Sequence, residues 1–168
     1  MVQPTAKIIF GLDPGTATTG YGVLIDDGRQ LRHLAHGCIL TPAGSEQHHR
    51  LQTIAKEFKA LLRKYQPDLV AVESLYFFKN VSTAMSVAQA RGVLLETAAS
   101  AGLPVMSFTP LQVKQALTGY GKADKKQIQK MVKIVMGLAE LPGPDDAADA
   151  LAIAITCAHS SKINEQTK

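Results

Sequence analysis

Apolar residues recur along this chain in two rhythms, and the switch between them divides it. The run Lys7–Asp13 (KIIFGLD) is short and apolar and stops at Pro14-Gly15, which predicts a central strand closed by a turn. Tyr21–Asp26 predicts a second strand, Asp27-Gly28 is a hairpin signal, and Leu31–Leu40 predicts a third strand. Beyond them the period lengthens. Leu51, Ile54, Phe58, Leu61, Leu62 and Tyr65 recur at three- and four-residue steps and give Glu46–Tyr65 one apolar helical face, stopped by Pro67-Asp68. The unbroken apolarity of Leu69–Glu73 predicts a fully buried strand. A loop with Tyr76, Phe77 and Phe78 leads to a helix over Ser82–Ala101, closed by Gly102. A fifth strand at Val105–Phe108 and a short helix from Pro110 through Leu117 follow. After the glycine-containing loop Thr118–Ala123, Asp124 is placed to cap a helix over Lys125–Met136. Pro142-Gly143-Pro144 resets the chain before a last helix, Asp145–His159, whose apolarity on nearly every side predicts burial. From Ser160 the polar, arrhythmic sequence predicts a flexible tail, taken as residues 161–168.

Strands that lead and then alternate with helices predict an α/β fold. Its five-stranded mixed sheet would be antiparallel over the first three strands, parallel thereafter, and flanked by helices. The ribonuclease H-like fold has this layout, as do other mixed sheets. A length of 168 residues suits one domain, residues 1–160. A composition 46% hydrophobic and 19% charged excludes a disordered chain. The longest strongly apolar stretch, Ala150–Ala158, is far short of the ~20 residues a bilayer needs, and Met1–Lys7 shows no signal peptide. Cys38 and Cys157 lie far apart and in no metal-ligand spacing, so two reduced thiols in a cytoplasmic protein are expected. The net charge of +4 is a weak hint by itself, but residues 110–135 hold Lys114, Lys122, Lys125, Lys126, Lys130 and Lys133 against one acid, Asp124. A polyanionic partner is expected there.

Four acids stand where acids are costly. Asp13 ends the first strand, Glu73 ends the fourth, and Asp146 and Asp149 lie three apart on an otherwise apolar helix, sharing a face. If the first and fourth strands are parallel neighbours, Asp13 and Glu73 emerge at one sheet edge, where open α/β sheets place their ligand sites. Taken singly, Asp146 also reads as a helix cap, with Asp145 beside it, and Asp13-Pro14-Gly15 as a plain turn. Together, with no cation interleaved in sequence, they call for a divalent ion. All-oxygen ligands select Mg²⁺ or Mn²⁺ over zinc, and two ions about 3.5–4 Å apart would suit phosphodiester hydrolysis, with Asp13 as the bridging ligand.

These residues resemble the RuvC-type Holliday junction resolvases over nearly the whole chain. The resemblance is carried by Ile9–Gly15, Gly20–Val23, Val70–Glu73, Gln89–Gly92, Gln112–Gln115, Gly119–Lys125 and, above all, Asp146–Ala152 (DAADALA). It implies a ribonuclease H-like fold, a homodimer, and a Mg²⁺-dependent nick in each of two opposed strands of a four-way DNA junction. By this resemblance the metal ligands are Asp13, Glu73, Asp146 and Asp149, with two Mg²⁺ per subunit and Mn²⁺ as a substitute. By the same resemblance Lys114 and Lys125 act beside the scissile phosphate. DNA contacts are expected from Tyr76, Phe77, Lys79, Arg91, Lys114, Lys122, Lys125 and Lys126. Gly119 and Gly121 would let their loop approach a backbone closely, and the helix bearing Ala84, Met85, Ala88 and Gly92 would lie in the dimer interface. The implied partners are the RuvA–RuvB branch-migration machinery, in the bacterial cytoplasm.

Three other readings compete. Asp13-Pro14-Gly15-Thr16 would fit the phosphate-holding hairpin of an actin-like ATPase, but 168 residues leave no room for the duplicated fold. A restriction-type nuclease would want an acid-x-Lys pair, whereas Glu73 is followed by Ser74 and Leu75. A junction-binding scaffold with a decayed site would not be expected to keep all four acids. His48-His49 begins a helix with no acid or Cys at ligand spacing and reads as a solvated helix start, whereas His159, ten residues past Asp149 at the far end of its helix, reads as structural.

Overall fold

The computed structural model describes the backbone of residues 6–74 and 81–166, and the side chains of residues 6–74 and 83–160. The elements run β1 (Lys7–Asp13), β2 (Thr18–Asp26), β3 (Leu31–Leu40), α1 (Gln47–Tyr65), β4 (Leu69–Glu73), α2 (Val81–Ser100), β5 (Val105–Phe108), α3 (Pro110–Thr118), α4 (Lys125–Met136) and α5 (Asp145–Gln166). The sheet order is β3-β2-β1-β4-β5. β1 pairs antiparallel with β2 and parallel with β4, so the predicted central strand is central. β4 and β5 are parallel as well.

Two bounds depart from the sequence reading by more than one residue. β2 begins at Thr18 rather than Tyr21, because Thr18, Thr19 and Gly20 pair with Leu40, Ile39 and Cys38 of β3 and carry no apolar signal of their own. α5 continues to Gln166 rather than ending at His159; the segment between holds no Gly or Pro to stop a helix.

Strand alternation divides the core into two layers. Phe10, Leu12, Val23, Val70 and Val72 face α1 and α2, while Ile9, Leu24 and Ala71 face α3, α4 and α5. α5 is the most enclosed element: from Ala147 to Ala158 every apolar residue is at most 1% exposed. Its alanines let it lie close on β1 and β2, and the sheet answers with glycines. A Cβ on Gly11 would meet the Ala150 carbonyl and Ala154, one on Gly20 would meet the Asp146 carbonyl, and one on Gly22 would meet Leu151.

α3 and α4 begin with matching capping boxes. Thr109 and Gln112 close the first and Asp124 and Gln127 the second, as the sequence predicted for Asp124. No helix among the described residues is long and apolar enough to cross a membrane.

The glycine-lined seat gives a direct expectation. Gly11→Ala forces a methyl into the α5 backbone and should destabilise the protein by about 1–3 kcal/mol, seen as a Tm lowered by about 2–10 °C in thermal melting. An unchanged Tm would mean that α5 can shift at no cost.

Candidate active site

Period-two alternation decides where the acids point. On β1, Ile9 and Gly11 face α5, so Asp13 faces it too; on β4, Leu69 and Ala71 do the same for Glu73. The last β1–β4 pair is Leu12 with Val72, which leaves Asp13 and Glu73 as adjacent strand ends. The turn after Asp13 is pinned by two hydroxyls: Thr19 Oγ1 donates to the Gly15 carbonyl and Thr41 Oγ1 to the Thr16 carbonyl, both at 2.6 Å. Against them lie the first two turns of α5, bearing Asp146 and then Asp149.

Asp13, Asp146 and Asp149, all half-buried, bring one carboxylate oxygen each within 4.8 Å of one another. Glu73 is not in that tight group. It enters from the neighbouring strand, but its charge acts on Asp13, and Asp149 acts on it. The four acids predicted to converge therefore form a triad with a flanking fourth member. Burial, then Glu73, Asp149 and Asp146, push the Asp13 carboxyl up to about 8. Burial and Asp149 push Glu73 up to about 7. Asp149 is raised by burial despite an opposing lysine.

That lysine is Lys125. No cation adjoins the four acids in sequence, yet the fold supplies one: Lys125 Nζ lies 3.2 Å from Asp149 and 3.3 Å from Asp145. Partial burial works against the Lys125 charge, but Asp149 and Asp145 outweigh it and hold its pKa above the ordinary lysine value. Asp145 also accepts from Gln129 Nε2 at 2.8 Å, so it ties α5 to α4. Lys114 joins Glu73, Lys125 and Asp149 around a cleft of about 220 Å³ between α3, α4 and α5.

The other candidates divide. Lys122 and Lys126 are exposed, on the loop before α4 and in its first turn, and neither lines this cleft. Arg91, read from sequence as a DNA contact, is turned toward protein: its Nε donates to the Glu73 carbonyl at 3.0 Å and its Nη2 to Ser107 Oγ at 2.9 Å. Tyr76, Phe77 and Lys79 lie outside the described residues. Gly119 is required by the left-handed cap of α3 (φ 69°), and a Cβ on Gly121 would crowd Leu111. Cys38 and Cys157 are reduced, and the buried Cys157 donates its S–H to Met106 Sδ at 3.7 Å. His48 and His49 are exposed at the start of α1, and His159 is half-buried far along α5.

Sequence reasoning missed Lys125 as the partner of Asp149, Asp145 as a tie to α4, and the inward turn of Arg91. The first had a signal. Lys125 directly follows a cap residue, where the helix dipole disfavours a cation, so some other group had to favour it there.

The donor set is chemically uniform. Carboxylate oxygens, with no thiolate or imidazole among them, suit a hard divalent cation. Burial first, and the neighbouring carboxylates second, raise the carboxyls of Asp13 and Glu73, and a cation held among them would favour both charged forms.

Comparison with known proteins agrees with this geometry. The family model described as "Crossover junction endodeoxyribonuclease RuvC" matches residues 9–157. A RuvC crossover junction endodeoxyribonuclease of Syntrophomonas wolfei is 53% identical over 156 residues, covering 93% of this chain and 91% of the relative. The solved Thermus thermophilus RuvC in complex with Holliday junction substrate is 36% identical, with a TM-score of 0.89, and covers 94% of this chain and 96% of that one. The yeast mitochondrial Holliday junction resolvase Ydc2, at 12% identity and a TM-score of 0.68 over 99% and 85% of the two chains, shows the fold alone. Fold and site thus define a ribonuclease H-like protein with an acidic centre at the sheet edge. The chain belongs to the RuvC family of crossover junction endodeoxyribonucleases.

The metal-free site should cost stability in a pH-dependent way. Asp13 has an ordinary value of 3.8 but about 8 in the fold. Well below pH 3.8 both states hold the proton and nothing is lost. As pH rises through 3.8 the unfolded chain gives up its proton while the folded Asp13 keeps it, and stability falls until pH passes about 8. Asp13→Asn should therefore raise the Tm of the metal-free protein by about 2–8 °C at pH 8 and change it least near pH 3. A gain of equal size at both values would show that Asp13 is not the titrating group.

Proposed function

We propose that this chain resolves four-way DNA junctions by metal-dependent nicks in two opposed strands, one made by each subunit of a homodimer. The observation that carries the reading is the convergence of Asp13, Asp146 and Asp149, flanked by Glu73, at a sheet edge of a RuvC-family chain. Asp13 would be the bridging ligand, and Asp146, Asp149 and Glu73 the others, for a pair of Mg²⁺ ions; Mn²⁺ has the same ligand preference. When bound, the ions would activate water and stabilise the departing oxygen of the phosphodiester.

The chain's own residues do the rest. Lys125, from the start of α4, and Lys114, from α3, border the cleft beside Glu73 and Asp149 and would hold the scissile phosphate and its growing charge. Lys122 and Lys126 would contact flanking phosphates, fixing register without reading sequence. Tyr76, Phe77 and Lys79, which follow Glu73 in sequence, would meet the DNA near the crossover, the rings by stacking on bases. Dimerisation through α2 would cover Met85, now 70% exposed. Membership of the family supports a bacterial cytoplasmic setting and RuvA–RuvB as partners.

A junction-binding scaffold without activity is the rival reading, and cleavage of a synthetic four-way junction with and without Mg²⁺ decides between them. Asp13→Asn should lower single-turnover cleavage by about a thousandfold or more while junction Kd stays within about threefold. A variant that still cuts would remove Asp13 from the metal centre.

The lysines should split into two classes. Lys114→Ala and Lys125→Ala should slow cutting more than they weaken binding. Lys122→Ala and Lys126→Ala should weaken binding on every junction sequence and lower the slope of log K against log salt by about one each. Equal losses of rate and affinity at Lys114 and Lys125 would reduce them to ordinary phosphate contacts.

A further inference from the structure

Glu73 occupies an unusual place in the sheet. It is the last residue of β4 and lies one residue beyond the last β1–β4 pair, Leu12 with Val72. On the other side it pairs with Phe108, and the Ser74 amide donates to the Phe108 carbonyl at 2.8 Å. In this register the residue of the β1 side that would next donate to the Glu73 carbonyl is Pro14, which has no N–H. Arg91 of α2 comes there instead. Its Nε takes the Glu73 carbonyl at 3.0 Å and its Nη2 takes Ser107 Oγ, on β5, at 2.9 Å.

We propose that Arg91 is a positioning residue for the metal centre, a clamp that fixes the end of β4 and so the aim of Glu73. The guanidinium suits this task because its planar fork reaches two acceptors at once, which an ammonium cannot do in one fixed geometry. Its effect is on direction, not charge. Asp149 and burial, not Arg91, set the proton affinity of Glu73. Glu73 also needs such help more than the other acids do. Asp13 stands at the end of a central strand with a pinned turn, and Asp146 and Asp149 ride on a helix seated against glycines. Groups that hold a ligand from behind commonly affect metal affinity by about 10–100-fold.

The inference rests on the metal-centre reading, and its test separates it from the resolvase reading. Mn²⁺ binding to the DNA-free protein, followed by the electron paramagnetic resonance signal of free Mn²⁺ well below each variant's Tm, should weaken about tenfold or more in Arg91→Ala. Arg91→Lys, which keeps the charge but not the fork, should recover only a small part. Ser107→Ala spares the bond to Glu73 and should cost about threefold or less. With junction present, Arg91→Ala should raise the Mg²⁺ concentration for half-maximal cutting by the factor seen with Mn²⁺. Junction Kd and its salt slope should stay unchanged. Wild-type Mn²⁺ affinity in Arg91→Ala, with weaker junction binding and a salt slope lower by about one, would overturn the proposal and make Arg91 a phosphate contact. Should Arg91→Ala fail to fold, Arg91→Lys carries the same test: a loss of Mn²⁺ affinity supports the clamp, and none overturns it. A wild-type protein that binds Mn²⁺ but cuts no junction would refute the resolvase reading, and the Mn²⁺ affinities would still decide the role of Arg91.

Discussion

Everything at the acidic edge depends on how closely α5 lies against β1 and β2. The glycines at 11, 20 and 22 remove the side chains that would hold the helix off the sheet, and the alanines of α5 remove those that would hold the sheet off the helix. Apolar burial along Ala147–Ala158 then fixes the depth of the helix, and interiors packed to this density do not deform continuously. The carboxylates gain nothing from their own meeting. Asp13, buried and facing Asp146 and Asp149, is held by packing in a position that its charge opposes. The hydrophobic contact of one helix with two strands is therefore the force that assembles a hydrophilic site.

Much of this was legible in the chain. The bounds of β1, β3, β4, β5 and α4 follow from apolar runs, turn residues and the Asp124 cap, because in those segments local propensity and tertiary role agree. Segments in which they disagree were misread. Thr18–Gly20 belongs to β2 through pairing with β3, which nothing in its own composition announces. Ser160–Gln166 continues α5 although its polar residues suggest a frayed tail. The four acids were readable because a charged residue breaking an apolar run is conspicuous. Their meeting was readable only as a conditional, since it needs β1 beside β4 and the parity that turns Asp13 and Glu73 toward α5.

What the sequence hid are the contacts between distant segments that involve one long side chain each. Lys125 and Asp149 are separated by a helix, a loop and a turn, and nothing in either local sequence names the other. Arg91 looks like any cation near a candidate interface until its two hydrogen bonds are seen to end on β4 and β5. Long, flexible side chains have reach but no periodicity, so pattern analysis that finds strands and helices is blind to them.

The charges around the cleft also form an ordered arrangement rather than a balanced one. On the α5 and β1 side stand Asp13, Asp146 and Asp149, with Glu73 from β4; on the α3 and α4 side stand Lys114 and Lys125, with Lys122 and Lys126 further out. A polyanion is attracted by one wall and repelled by the other, and Lys125 alone bridges them through Asp145 and Asp149. Phosphate can be drawn to the lysine wall by long-range attraction, but its close approach to the acidic wall requires positive charge between them. On the proposed reading, divalent cations would supply that charge where the protein cannot, since further lysines among the acids would pair with them and fill the space the substrate needs. The same geometry that makes the metal-free site costly to fold would then make its occupation by metal the condition for bringing a phosphodiester against Asp13.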